Sequence, residues 1–205
     1  MPTEDGPDRG PTPSQTIGPF FHYGLPWKGG ADLVEASELG ARPDLYPPEH
    51  YRLGPTETRP RIVGEVVEVR GRVLDGAGTG VPDAMVECWG ADARGRFGND
   101  PDDFIGFGRT ATGDDGSYRF RTLRPGAIGP GHAPHLALSL FGRGLLNRLA
   151  TRLYFDGDPS LGTDPVLVEL PAQRRETLIA SRAGDGAYVL DLHLQGARET
   201  VFFDL

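Results

Sequence analysis

Regular alternation of apolar and polar positions starts at Arg61. IVGEVVEVRGRVLD, Ile62 to Asp75, has the Val/Ile enrichment of a strand, and the GAGTG that follows predicts a turn. VPDAMVECWGAD predicts a second strand, with Ala84, Val86 and Cys88 on one face and Met85, Glu87 and Trp89 on the other. A face carrying Met and Trp is expected to be partly covered, and Cys88 is most simply a small core residue. FGRTATGDDGSYRFRTL predicts a hairpin closed by Asp114-Asp115-Gly116, its second half alternating Tyr118, Phe120 and Thr122 with Arg119 and Arg121. His135 to Phe141 alternates again, and Leu153 to Phe155 opens another strand. AYVLDLHLQG and ETVFFDL predict two more around a Gly196-Ala197 turn. QRRETLIASR, Gln173 to Arg182, is the one segment with helical character, a short connection. Some eight strands with short turns predict a mainly β fold, a two-sheet β-sandwich spanning 62–205.

The first 61 residues read as an N-terminal arm and an extended segment. Met1 to Pro13 are polar and rich in Gly and Pro, and PDLYPPEHYRLGP is proline-stiffened backbone. Between them, Phe20, Phe21, Tyr23 and Trp27 crowd into eight positions and need a surface to pack on. That surface is either the chain's own domain or a partner. Between the hairpin and His135 lies a loop punctuated by Pro125, Gly126, Gly129, Pro130, Gly131 and Pro134, which is neither helix nor ladder.

With 30 Gly and 19 Pro among 205 residues, but 38% apolar residues, the chain is loop-rich and still able to build a core. The net charge of −8 argues against a nucleic-acid surface, which needs an excess of Lys and Arg. The single cysteine excludes an intrachain disulfide framework and fits a reducing compartment. The acidic N-terminus has no apolar h-region and no run is long enough for a membrane span, so a cytoplasmic protein is expected.

Familiar catalytic constellations are missing. There is no phosphate-binding glycine loop, no cysteine pair for zinc and no His-Glu-x-x-His. Ser14, Ser139 and Ser181 lack a nucleophile-elbow context. Asp102-Asp103 and Asp114-Asp115 stand in turn-like sequence, where Asp serves the backbone. His132 and His135 straddle Ala133-Pro134 in extended chain, so their rings are expected to point different ways.

The blocks GRVLDGAGTGVPDAMVECWGADARGRF, FGRTATGDDGSYRFRTLRPG, APHLALSLFGRG and TRLYFDGD are similar to intradiol ring-cleaving dioxygenases. Those are two-sheet β proteins that hold a non-haem ferric ion through two Tyr and two His. SQTIGPFF, QRRETLIA and the terminal ETVFFD resemble the α-type chain of two-subunit members. In catalytic chains of the family the Pro-Gly loop carries a Tyr two positions past the Gly; here that position is Ile128. The next strand supplies His-x-His; here His135 is present and its partner position is Ala137. The other Tyr belongs between the Trp89 strand and the hairpin, and no Tyr occurs between Tyr51 and Tyr118. The Arg preceding the His pair appears as His132. Ferric iron is a hard cation that favours phenolate oxygens, and one imidazole does not retain it.

The resemblance therefore implies no metal ligands and no catalytic residues in this chain. It implies Fe(3+) on a homologous β subunit, whose substrate cleft this chain completes in a hetero-oligomer. The substrate implied is protocatechuate, opened by O2 between its hydroxyl-bearing carbons to 3-carboxy-cis,cis-muconate. Thr16, Gly18, Pro19 and Arg143 are implied to reach that cleft. Gly18-Pro19 makes a rigid corner with little side chain, and Arg143 offers a guanidinium fork to the substrate carboxylate. Arg143 is otherwise a solvated turn charge, and Thr16 otherwise bonds its own backbone. Two rivals stand beside this reading: a self-contained dioxygenase for catechol or hydroxyquinol, and a non-catalytic prealbumin-like module that binds carbohydrate or peptide.

Overall fold

The computed structural model describes residues 13–18, 21, 30–34, 39, 62–98 and 104–204. Nine strands occur among them, and the elements that bury one face alternate as the sequence does. In β1 (Val66–Leu74) Val67, Val69 and Val73 are buried, with exposed Arg70 and Arg72 between them. In β5 (His135–Phe141) Leu136, Leu138 and Leu140 face inward. β2 (Met85–Gly90) follows the predicted faces less strictly. Val86 and Cys88 are buried, Met85 is buried as well, and Trp89 is 45% exposed. Burial pushes the Cys88 thiol up to about 12, so it is a core side chain and not a nucleophile.

The strands form one hydrogen-bonded path and not two separate ones. Its order is β3 (Phe107–Ala111), β2, β5, β6 (Leu149–Phe155), β7 (Ile179–Arg182), β8 (Ala187–Val189), β1 and β4 (Ser117–Leu123), with β9 (Leu192–His193) paired to β1. The joint is β7, parallel to β6 and antiparallel to β8. The path curls so that β1 and β4 (Ser117–Leu123) bury Val69 and Phe120 in the same core as Val86, Cys88, Leu138 and Leu153. Burying this cluster from both arms of the curl is the dominant favourable term.

Three expectations are corrected. The helix expected over Gln173–Arg182 covers only α2 (Ala172–Glu176), after a first short helix α1 (Pro165–Glu169). The rest becomes β7, because Leu178 accepts from the Tyr154 amide and the β6 edge offers a full ladder. Tertiary pairing overrides a weak local preference. The expected hairpin is not one: β3 (Phe107–Ala111) pairs with β2, and β4 pairs with β1. The turn still closes locally, Gly113 N–H to the Ser117 carbonyl at 2.9 Å, but each strand then takes a different partner. Among the described residues of the last block, ETVFFDL, the strand pairing is a single bridge at Phe203 to Ala150. Its preceding block splits into β8 and β9 (Leu192–His193). No described helix is long and apolar enough to cross a membrane.

Gly71 permits the close approach of the segment between β8 and β9, which both run parallel to β1. A Cβ there would lie 1.8 Å from the Leu190 carbonyl oxygen, which also accepts from the Tyr118 hydroxyl at 2.7 Å. Gly71→Ala is expected to cost about 2–3 kcal/mol in urea unfolding, the range of overpacked sites. A loss under about 0.5 kcal/mol, that of an unremarkable surface change, would contradict the close approach.

Candidate functional site

β5 links the two places where the sequence leads one to look. At its start is the glycine- and proline-rich loop, and at its end the Phe141-Gly142-Arg143 turn. The loop is held at both ends. At its entry Arg124 donates to Asp158 at 3.0 Å and to the Tyr188 hydroxyl at 2.6 Å, with its guanidinium over the Phe155 ring. At its exit the Ala133 amide donates to Asp164 at 2.9 Å. Asp164 is fully buried and caps α1 through the Val166 and Leu167 amides, which share its Oδ1 with the Tyr154 hydroxyl, while the Ala133 amide takes Oδ2. Burial, the largest single influence, raises the Asp164 pKa. The three amides and the Tyr154 hydroxyl outweigh it and hold the carboxyl below its ordinary 3.8.

The side chains around this loop do not fit a ferric ion. Ile128, at the family's Tyr position, is 40% exposed and has no donor atom; Ala137 is an exposed methyl on β5. His135 accepts no metal geometry from a second imidazole. Its Nδ1 faces the Ala133 carbonyl at 2.9 Å and its ring packs on Tyr154. Burial lowers the His135 pKa. Tyr154 is the nearby phenol, but burial pushes it up to about 12 and its proton is committed to Asp164. His132 lies with its Nδ1 3.8 Å from the Asp164 carboxylate, beyond hydrogen-bond distance. No group of three or more His, Cys, Asp or Glu able to hold a metal occurs among the described residues. Tyr154, Asp164 and Arg124 were not singled out from the sequence. Arg124 and Tyr154 fall within the FGRTATGDDGSYRFRTLRPG and TRLYFDGD blocks, while Asp164 falls in none.

At the other end of β5 the structure brings Thr16 and the Arg143 turn together. The Gly144 amide donates to Thr16 Oγ1 at 2.7 Å, and the same hydroxyl donates to the Ile17 carbonyl at 3.2 Å. Both the local bond and the long-range contact therefore occur. Phe21 stacks on Phe141 with ring centroids 6.1 Å apart. Gly18 is exposed, its carbonyl accepting from the Phe21 amide. Pro19 lies outside the described residues, as do Phe20, Tyr23, Trp27 and Asp102-Asp103. Arg143 donates from Nη2 to Asp83 at 3.0 Å and keeps 53% of its side chain exposed. The positive charge is thus oriented and open to solvent.

The dioxygenase family model matches residues 53–187, about two thirds of the chain. This chain belongs to the dioxygenase family. As a member of it, the chain is 40% identical to the protocatechuate 3,4-dioxygenase alpha chain of Burkholderia cepacia over 207 residues, 95% of this chain and 97% of that one. The protocatechuate 3,4-dioxygenase beta chain of the same organism is 35% identical over 178 residues, 77% of this chain and 76% of that one. Among solved structures, the dioxygenase domain of a dioxygenase–carbohydrate-binding fusion protein from Streptomyces sp. SirexAA-E matches with a TM-score of 0.57 at 27% identity. That match covers 91% of this chain and 99% of the domain. The dioxygenase fold is thus retained around a loop whose side chains do not suit the family's iron.

Asp164 gives this loop a pH signature. The depressed carboxyl lends stability that is present above about pH 3.8, its ordinary value, and is lost as pH falls through the folded value. Thermal melts from pH 7 to 3 are expected to fall more steeply below pH 4 for the wild type than for Asp164→Asn. Parallel curves would show that the carboxylate is not held as described.

Proposed function

We propose that this chain is the α subunit of a protocatechuate 3,4-dioxygenase and completes the substrate cleft of an iron-bearing β subunit. The observation that carries the reading is the length of β5. Its six residue steps from His135 to Phe141 span about 20 Å at the usual rise of a strand. Arg143 lies beyond that far end, out of reach of anything bound at the chain's own metal position. That placement supports a role toward a ligand held by another chain. The stronger match to the alpha chain than to the beta chain of one organism supports the same assignment.

In this reading Fe(3+) belongs to the β subunit and none of the steps on it use a residue of this chain. Arg143 pairs with the ring carboxylate that distinguishes protocatechuate from catechol, a charge-assisted bond with directional preference. Thr16 fixes the Arg143-Gly144 turn through its hydroxyl, and Gly18-Pro19 walls the cleft with bare backbone. The division into an arm, 1–61, and a two-layered β domain, 62–205, belongs to the same proposal. The described part of the arm packs on the chain's own domain, Phe21 on Phe141 and Thr16 on the Arg143 turn, so in this reading it holds that turn in place at the edge facing the partner. A cytoplasmic complex belongs to the same proposal, and the single cysteine, free and buried, suits a reducing compartment.

The test is Arg143→Ala in the reconstituted αβ complex. Loss of a charge-assisted bond worth about 1.5–3 kcal/mol is expected to lower kcat/KM for protocatechuate about 10- to 100-fold relative to catechol. An unchanged preference between the two substrates would remove the proposed role.

A further inference from the structure

Asp83 is the one non-glycine residue with a positive φ among those described, at 60°. L side chains are uncommon there, although Asp and Asn tolerate it better than most. The turn leading into β2 is fixed around buried Thr112, whose hydroxyl donates to the Val81 carbonyl at 2.8 Å and accepts from the Ala84 amide at 3.0 Å, and Asp83 at its apex is half exposed. What the conformation does is set by register. Met85 pairs with Phe141, so continuing the antiparallel ladder two residues outward brings Asp83 opposite Arg143. The carboxylate then receives the guanidinium Nη2 at 3.0 Å. On the other flank of Arg143, the Gly144 amide is anchored to Thr16. With the turn itself held by Thr112, the carboxylate at its apex is not needed to close it, and its partner is the solvent-facing guanidinium of Arg143.

We infer that Asp83 is a positioning residue for Arg143: it holds the guanidinium at the mouth of the partner's cleft, oriented for the substrate carboxylate. This deepens the reading given under Proposed function and rests on it. An Arg carries five donors in a fixed fork, and the contact with Asp83 is made from Nη2. Restricting the long side chain in advance lowers the entropic cost of ordering it when substrate arrives. The contribution belongs to binding of the carboxylate and not to ring opening, so it falls on KM for the carboxylated substrate.

The experiment uses αβ complexes built with Asp83→Gly and Asp83→Asn, assayed with protocatechuate and with catechol. Asp83→Gly removes the carboxylate and suits the positive φ, so the complex is expected to melt at the same or a higher temperature. Its KM for protocatechuate is expected to rise about 2- to 5-fold, the range of a half-exposed ion pair, without a matching rise for catechol. Asp83→Asn keeps an oxygen acceptor and the backbone tolerance, and is expected to recover part of the loss. An unchanged KM ratio in Asp83→Gly overturns the inference, as does an equal rise for both substrates, which marks a general structural effect. Arg143→Ala, run in parallel, separates the two levels. If it abolishes the preference while Asp83→Gly leaves it intact, only the positioning role fails. If Arg143→Ala leaves the preference intact, the cleft reading fails, and the role of Asp83 with it.

Discussion

The antiparallel seam between β2 and β5 organises the functional geometry of this chain. Its register, Met85 against Phe141 through Gly90 against Leu136, places two regions at opposite ends of one strand. At the start of β5 are His135, Ala137 and the rigid loop before them. At its end the Asp83–Arg143 pair and the Thr16 contact gather. A strand is stiff along its axis, so the two ends cannot cooperate on one small molecule. The separation explains how a chain can keep a dioxygenase architecture while the oriented, exposed guanidinium at this turn lies a strand's length from the family's metal position.

The loop end shows what remains when chemistry leaves and folding requirements stay. Asp164 collects the Ala133, Val166 and Leu167 amides and the Tyr154 hydroxyl, and each of these groups would be costly to bury alone. Arg124 performs the same service at the loop entry, combining an ion pair, a hydrogen bond and two aromatic faces. These interactions keep the loop shape without requiring an ion. The positions that would face the metal, Ile128 and Ala137, carry no such duty, and there the side chains are bare hydrocarbon.

Much of the fold was legible because burial of one face forces alternation. β1, β4 and β5 follow from their residue patterns, and Cys88 is buried as its position implies. What could not be read locally were choices of partner. The β3–β4 turn looks like a hairpin, yet a turn closes equally well between strands that separate, and the ladders to β1 and β2 lie tens of residues away. Gln173–Arg182 carries helix-forming residues at its front and β-favouring ones behind, and the open edge of β6 decides the second half. At the site, resemblance pointed to Thr16 and Arg143, which the structure brings to one turn. Asp83 and Asp164 carried no signal, because the first matters through a backbone angle and the second through partners up to 31 residues distant.

The central claim is that the donor set around His135 does not suit a trivalent metal, so ring cleavage depends on iron held elsewhere. Its most direct test is ferric loading of the isolated chain, followed by iron analysis, visible absorption and assay with protocatechuate. The account predicts substoichiometric iron, no phenolate-to-iron colour and no turnover, with activity appearing only when the iron-bearing β subunit is added. One tightly bound ferric ion per chain, coloured and competent in ring cleavage without a partner, would contradict it.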